Sequence, residues 1–363
     1  MKTDIDILLA KPLHDEELSP EESLFVYQNA PLPQLISAAH AMRMKLHSEN
    51  KVSWIIDRNV NISNVCITGC RFCNFSCSKN SASAYVTKRE EYRKKISELF
   101  ALGGNQLLLQ GGLNPALDLN FHCDLFRWMK SEFPELKLHA LSPAEVDFMA
   151  RTEKMSHHDV LQTLINAGLD SLPGAGAEIL CDRVRKIVSP SKISTNSWLE
   201  VMRAAHKIGL VTSATMMFGH VETMEERIDH MIRIRSLQHE KPADVPGFLS
   251  FIPWPFYGKD TALEKAGLVS KSVTPVEYIR LIATARLILN NISNIQASWL
   301  TVGKITAAMC LYAGANDLGS IMIEENVVSS AGASYRMNED EMLQLISDSG
   351  FEPRRRNQDF TDV

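Results

Sequence analysis

The chain has 363 residues, a net charge of −5 and a pI near 6.1, so it lacks the basic excess with which nucleic-acid-binding surfaces hold phosphates. Its 45% hydrophobic and 22% charged residues supply a large core, and no apolar run reaches the ~18 residues of a membrane span. The N-terminal run ILLA has acidic neighbours and no basic leader, so we expect a cytoplasmic protein, with no nucleic acid partner and no membrane insertion, whose thiols stay reduced.

In chain order, Ser19-Pro20-Glu21-Glu22 opens a helix over 19–28, with a capping serine, proline at the first helical position and acids in the first turn. A second helix over 33–49 carries Leu35, Ile36, Ala39, Met42 and Leu46 on one side. The pattern then changes to short β-prone runs, VSWIID and RNVNISNV, that stop at Cys66. Beyond the cysteines an alternation begins. Helices over 90–102, 119–132, 158–167, 197–208, 224–238, 275–290 and 302–313 precede strands over 106–109, 137–141, 169–172, 210–218, 248–252, 295–299 and 318–323. Ser142-Pro143 and Pro253-Trp254-Pro255 read as turn and loop.

With the strand before Cys66 this makes eight strand–helix alternations, which predict a parallel sheet closed into an α/β, (β/α)8 TIM-type barrel. An open doubly wound sheet is the competing architecture. The expected organisation is an N-terminal helical extension over 1–52, the barrel over 53–330 and a short C-terminal tail over 331–363. Active sites of such barrels lie at the C-terminal ends of the strands. Cys66, Gly111-Gly112, His139 to Ser142, the turn after Pro173 and Gly219 to Glu222 all fall there.

Four of the seven cysteines lie within CITGCRFCNFSC, at positions 66, 70, 73 and 77. Thiolates so crowded need a cation or cluster to take up their charge, and one tight run in a chain of this length argues against a disulfide framework. Structural zinc sites usually combine two separated cysteine pairs. Ferredoxin-type clusters place a proline after the fourth cysteine, where this chain has Ser78. A third reading is a 4Fe-4S cluster held by three cysteines, with its fourth iron open.

The spacing of Cys66, Cys70 and Cys73, with Phe72 before the last and a barrel following, resembles the radical S-adenosylmethionine superfamily. Over roughly 53–332, strings such as LLLQGGLNP, LHALSPAEV, LDSLPGAGAEILCDRVR, FIPWPF and NIQASWLTVG resemble its menaquinone-biosynthetic, futalosine-pathway branch, and within it the ring-closing enzymes. That resemblance implies an oxidoreductase with a 4Fe-4S cluster and S-adenosyl-L-methionine as cofactors, dehypoxanthine futalosine as substrate and an electron donor such as flavodoxin or ferredoxin. A 5′-deoxyadenosyl radical would take the C4′ hydrogen of the ribose-derived ring, and the carbon radical would add to the benzoate ring. Sister enzymes that make aminofutalosine or the deazaflavin precursor are the alternative.

The same resemblance assigns Cys66, Cys70 and Cys73 to the cluster and Phe72, Gly111, Gly112, Ser142, Glu178 and one of Arg183 and Arg185 to the cofactor. Leu113 stands where many relatives have glutamate, and Cys77 is left as a bystander. His139, His220 and Glu222, with Glu145 behind them, are the candidates for proton transfer, because a histidine is the natural base near neutral pH. Trp254 and Trp299 are candidate pocket walls, and Glu324 or Glu325 could reach the site. A four-cysteine iron–sulfur or zinc-binding protein without catalysis is the reading from a different class.

Overall fold

The computed structural model describes residues 4–363 except 270, 325, 327–329, 331, 333 and 334. Its strands are β1 (Lys51–Ile55), β2 (Asp57–Asn61), β3 (Gln106–Gln110), β4 (Lys137–Ala140), β5 (Ser171–Leu172), β6 (Val211–Phe218), β7 (Phe248–Pro255), β8 (Asn294–Ile295), β9 (Asp317–Ser320) and β10 (Glu352–Arg355). The eight strands expected from the sequence are β2 to β9. Of these, β2 to β8 form one parallel sheet in chain order, with helices between successive strands. β9 pairs instead with β1, whose other neighbour is β10. The ring closes because β1 runs straight into β2 across Ile56, while Asn316 N donates to the Ile295 carbonyl at 3.1 Å and Ala297 N to the Asp317 carbonyl at 2.9 Å. The fold is therefore an α/β barrel of TIM type.

Alternate residues along each strand face opposite ways. Leu107, Leu109, Leu138, Ala140, Leu172, Ala214 and Phe251 are buried against the surrounding helices. Their neighbours in sequence point to the barrel axis, where the side chains are largely polar: Asp57, Asn59, Asn61, Gln106, Gln110, His139, Ser171, Ser213 and Thr215. Leu108, Gln110, Ile252 and Trp254 stay half-buried in mid-sheet, so the axis is open to solvent at their level.

Three elements differ from the sequence expectation. Ser142-Pro143 is not a turn but the cap and first residue of a helix, Pro143–Glu153. Pro253 and Pro255 belong to β7, which they can do because β8 pairs with β7 only as far as Phe251, leaving no partner on that side for the N–H groups proline lacks. β8 is shorter than expected because Trp299 starts a helical turn, Trp299–Val302. The expected N-terminal helices form as Pro20–Asn29 and Leu32–Leu46, and the buried Arg43 ties the second to the carbonyls of Ala315 and Lys51. In the C-terminal segment a helix, Glu339–Asp348, leads into β10, and Arg356 makes a buried ion pair with Asp317.

Candidate active site at the mouth of the barrel

The loop after β2 is fixed at its base by backbone bonds: Cys77 N donates to the Asn64 carbonyl at 2.9 Å and Cys66 N to the Cys77 carbonyl at 3.1 Å. Ile67 N donates to the Leu113 carbonyl and Arg71 N to the Val188 carbonyl, so the loop is sewn to the ends of two further barrel units. Cys66, Cys70 and Cys73 line one pocket of about 180 Å³ together with Thr68, Phe72, Gln110, Gly111, Gly112, Ser142, Glu145 and Lys192. Cys77 is not among its lining residues. All the cysteines are free thiols. Thr68 Oγ1 lies 3.0 Å from Cys66 Sγ and 3.3 Å from Cys70 Sγ, and Leu113 N donates to Cys66 Sγ at 3.2 Å.

Among the described residues, no three Cys, His, Asp or Glu side chains converge as a single ion would require. A cluster asks for a different arrangement, one thiolate at each of three irons, and soft thiols around one pocket fit that demand. The glycine pair serves this loop. A Cβ on Gly112 would stand 2.2 Å from the Val65 carbonyl oxygen and 2.9 Å from Cys66 Cβ, so only glycine lets β3 approach the cysteine loop.

Lys192 is the feature that sequence reasoning missed. Its side chain is 13% exposed, donates to Glu178 Oε1 at 2.8 Å and stands 5.4 Å from the centre of the Phe72 ring. Burial alone would lower the lysine, but Cys70 and Glu178 outweigh it and hold the ammonium well above its ordinary value. Burial likewise pushes the Cys70 thiol up while Lys192 opposes it, and the Lys192 and Arg185 charges overcome burial to keep the Glu178 carboxyl low. Glu178 sits at φ +44°, a region costly for a side chain with a Cβ, and its two cation partners hold it there. The only signal for Lys192 was a lone cation in the small polar stretch SPSKIST, which a solvated lysine shows equally. A cation beside thiols on a pocket wall can hold a carboxylate.

Arg185 is buried and its guanidinium binds the carbonyls of Ile193, Gly176 and Ala177, so it shapes the loops that present Glu178 and Lys192. Arg183 departs from the expected cofactor contact. It is half exposed, and both arms of its fork go to Glu226 and the Val221 carbonyl outside the pocket.

Ser142 caps its helix and donates to Glu145 Oε2 at 2.7 Å. Burial raises the Glu145 carboxyl to about 7 against that hydrogen bond and one from the Gly111 backbone. A carboxyl poised there can give or take a proton near neutrality.

The three residues expected to move protons do not line this pocket. His139 lies on the barrel axis, Nδ1 2.7 Å from Ser171 Oγ, and burial pulls it down to about 3, so it stays neutral. His220 has both ring nitrogens engaged, at 2.9 Å from the Met217 carbonyl and 2.8 Å from Val221 N. Glu222 accepts from Gly219 N, His220 N and Arg227, and contact with the His220 ring together with these bonds outweighs burial and holds it at about 2. His220 and Glu222 thus brace the turn after β6. Trp254 faces the axis, whereas Trp299 is buried and donates to the Ser320 carbonyl at 2.9 Å. Glu324 is taken up by Arg58 and Lys95, and Glu325 lies outside the described residues. A larger cavity of about 520 Å³, between residues 255–259, Val269, residues 271–275 and Tyr335, contains none of the thiols.

A TIM-type barrel with three cysteines of this spacing at the mouth of its first unit defines a class, and residues 60–234 match the radical SAM superfamily. The chain belongs to that superfamily of enzymes. Residues 245–362 match the CofH/MqnC C-terminal region. The chain is 40% identical to a cyclic dehypoxanthine futalosine synthase of Halalkalibacterium halodurans, over 98% of this chain and 94% of that protein. It is 40% identical to the enzyme of the same name from Streptomyces coelicolor over 98% of this chain and 88% of that one. It is also 35% identical to the 5-amino-6-(D-ribitylamino)uracil–L-tyrosine 4-hydroxyphenyl transferase of Methanothermobacter thermautotrophicus, over 100% and 99% of the two chains. In fold it is similar to methylornithine synthase, with a TM-score of 0.73 at 20% identity over 97% of this chain and 98% of that one.

Proposed function

We propose that this chain closes a ring in dehypoxanthine futalosine to give cyclic dehypoxanthinylfutalosine in menaquinone biosynthesis. The observation that carries the reading is 40% identity to two bacterial enzymes of that name over 98% of the chain. A 4Fe-4S cluster on Cys66, Cys70 and Cys73 with S-adenosyl-L-methionine beside it would supply, when bound, a 5′-deoxyadenosyl radical able to take a hydrogen atom. The chain's own residues do the remainder. Lys192 holds the cofactor's carboxylate with a charge it cannot shed, while Phe72 and the Gly111–Gly112 backbone flank the same pocket. Trp254 and Ile252 narrow the axis beneath it. Closure removes from the substrate one hydrogen atom from C4′, then one proton and one electron from the benzoate ring, so the product is lighter by two hydrogens. The electron returns through a redox partner such as flavodoxin or ferredoxin or through the cluster itself. Glu145, at about 7, is the carboxyl in the pocket suited to receive the proton.

The test is anaerobic reconstitution with iron, sulfide, a reductant and S-adenosyl-L-methionine, followed by addition of dehypoxanthine futalosine. The expected result is 5′-deoxyadenosine together with the cyclised product. A preparation that instead joins tyrosine to 5-amino-6-(D-ribitylamino)uracil, or that leaves dehypoxanthine futalosine unchanged, contradicts the proposal.

A further inference from the structure

The axis of the barrel below the cysteine pocket holds polar atoms that folding leaves unpaired. Asp57 stands beside Gln106 in the β2–β3 register, and Asn59 is level with Leu108, His139 and Ser171. Asp57 Oδ1, Asn59 Oδ1 and Gln106 Oε1 are buried with no hydrogen-bond partner among the described residues. Buried polar atoms nearly always have partners, so three such oxygens on neighbouring strands need an explanation.

Donors are close by but are committed elsewhere. Gln358, on the segment after β10, accepts from Gln106 Nε2 at 2.9 Å and places its own amide nitrogen 3.4 Å from His139 Nε2. His139 in turn engages Ser171 Oγ at 2.7 Å. The two arms of Arg356, two residues before Gln358, grip Asp317 at 2.6 and 3.0 Å. The C-terminal segment therefore fixes the amide nitrogen of Gln106 and leaves its oxygen open. Leu108 is half-buried at the level of Asn59, so the axis is open to that level, and Asp57 and Gln106 lie one inward-facing layer below it.

We infer that Asp57, Asn59 and Gln106, held in place by Gln358, form a receptor on the barrel axis for the hydroxyl-bearing, ribose-derived ring of the substrate. Three oxygens select a ligand end that offers hydrogen-bond donors and reject a carboxylate, so the benzoate group is turned away from this floor. The inference rests on the substrate proposed above and adds the residues that choose its orientation.

The test uses the full-length, reconstituted enzyme with S-adenosyl-L-methionine present and follows binding of dehypoxanthine futalosine by calorimetry. Asn59→Leu and Gln106→Leu are each expected to weaken substrate binding about tenfold or more. The affinity for S-adenosyl-L-methionine should stay within about twofold; Tm should hold or rise in Asn59→Leu, where an unpaired buried oxygen is removed, and fall in Gln106→Leu, which also takes the donor away from Gln358. A wholly structural role would lower Tm and spare substrate binding, and that outcome overturns the inference. So does unchanged substrate affinity with a raised Tm, which means the oxygens hold only water. Should the variants fail to fold, substrate analogues lacking one ribose hydroxyl are titrated into the wild type. Loss of affinity for at least one supports the receptor, and equal affinity for all overturns it. If the wild type does not bind dehypoxanthine futalosine at all, the proposed function falls first and the inference with it.

Discussion

Cys77 shares a loop with Cys66, Cys70 and Cys73, yet its backbone ties the loop together while its side chain is absent from the pocket wall. Cys77→Ser should retain the full iron and sulfide content of the reconstituted enzyme, and Cys73→Ser should lose most of it. Equal losses in iron and sulfide analysis would restore a four-cysteine site. Glu145 makes a second prediction at this scale. Its carboxyl is raised by burial from 4.5 to about 7 in the folded chain. Its stabilising contribution is complete below pH 4.5 and is lost as pH rises through about 7, because the unfolded chain gives up this proton first. Relative to wild type, Glu145→Gln should therefore gain about 3 kcal/mol of stability between pH 4.5 and 7.5. Urea titrations at both ends check this, and a constant difference between the two proteins contradicts it. The cysteines were legible in the sequence because crowded thiols admit few explanations. Lys192 was not, since its meaning lies in burial beside Glu178 and Cys70, which no local pattern encodes. His139 and His220 stood at strand ends as a base should, but which nitrogen is already engaged depends on Ser171, Gln358 and Met217, all remote from any motif.

Among elements, the cysteine loop depends on β3 as much as on its own ligands. A Cβ at Gly112 would stand 2.2 Å from the Val65 carbonyl, with fixed backbone on the other side. Gly112→Ala should cost about 1–3 kcal/mol of stability and open the loop. Thermal melts together with the yield of reconstituted cluster measure both effects, and a normal melt with full cluster content would show that the loop gives way freely. The helix Pro143–Glu153 shows how a legible signal can be misassigned. Ser142-Pro143-Ala144-Glu145 repeats the Ser-Pro-x-Glu pattern that marks the helix beginning at Pro20, and in both places the serine side chain caps the first turn. Ahead of the second, the Gln110 amide donates to the Leu141 carbonyl at 3.2 Å and Leu141 N to the Leu109 carbonyl at 2.8 Å. Leu141 adopts φ +65°, so the chain turns sharply from β4 into the helix. That backbone turn, held from the neighbouring strand, is what delivers Ser142 and Glu145 to the pocket.

For the molecule as a whole, the alternation of strand and helix was readable because most strands centre on a few apolar residues and the helices end at a glycine or a polar turn. The manner of closure was not. β1 and β2 read as one β-prone stretch, and only tertiary pairing reveals that the first half joins β9 and β10 while the second joins β3. The polar axis was equally hidden, because Asn, Gln, Ser and Thr alternating with Leu in a strand also describe a sheet with one wet face. Closure turns that wet face inward and makes a lumen leading down from three thiols and the ion-paired Lys192. We propose that this lumen holds dehypoxanthine futalosine with C4′ against the radical source. Substrate deuterated at C4′, incubated anaerobically with the reconstituted enzyme, reductant and S-adenosyl-L-methionine, tests it by mass spectrometry of the 5′-deoxyadenosine formed. One deuterium is expected in that 5′-deoxyadenosine and none at C4′ of the cyclised product. Unlabelled 5′-deoxyadenosine, or product that keeps its C4′ deuterium, would contradict it.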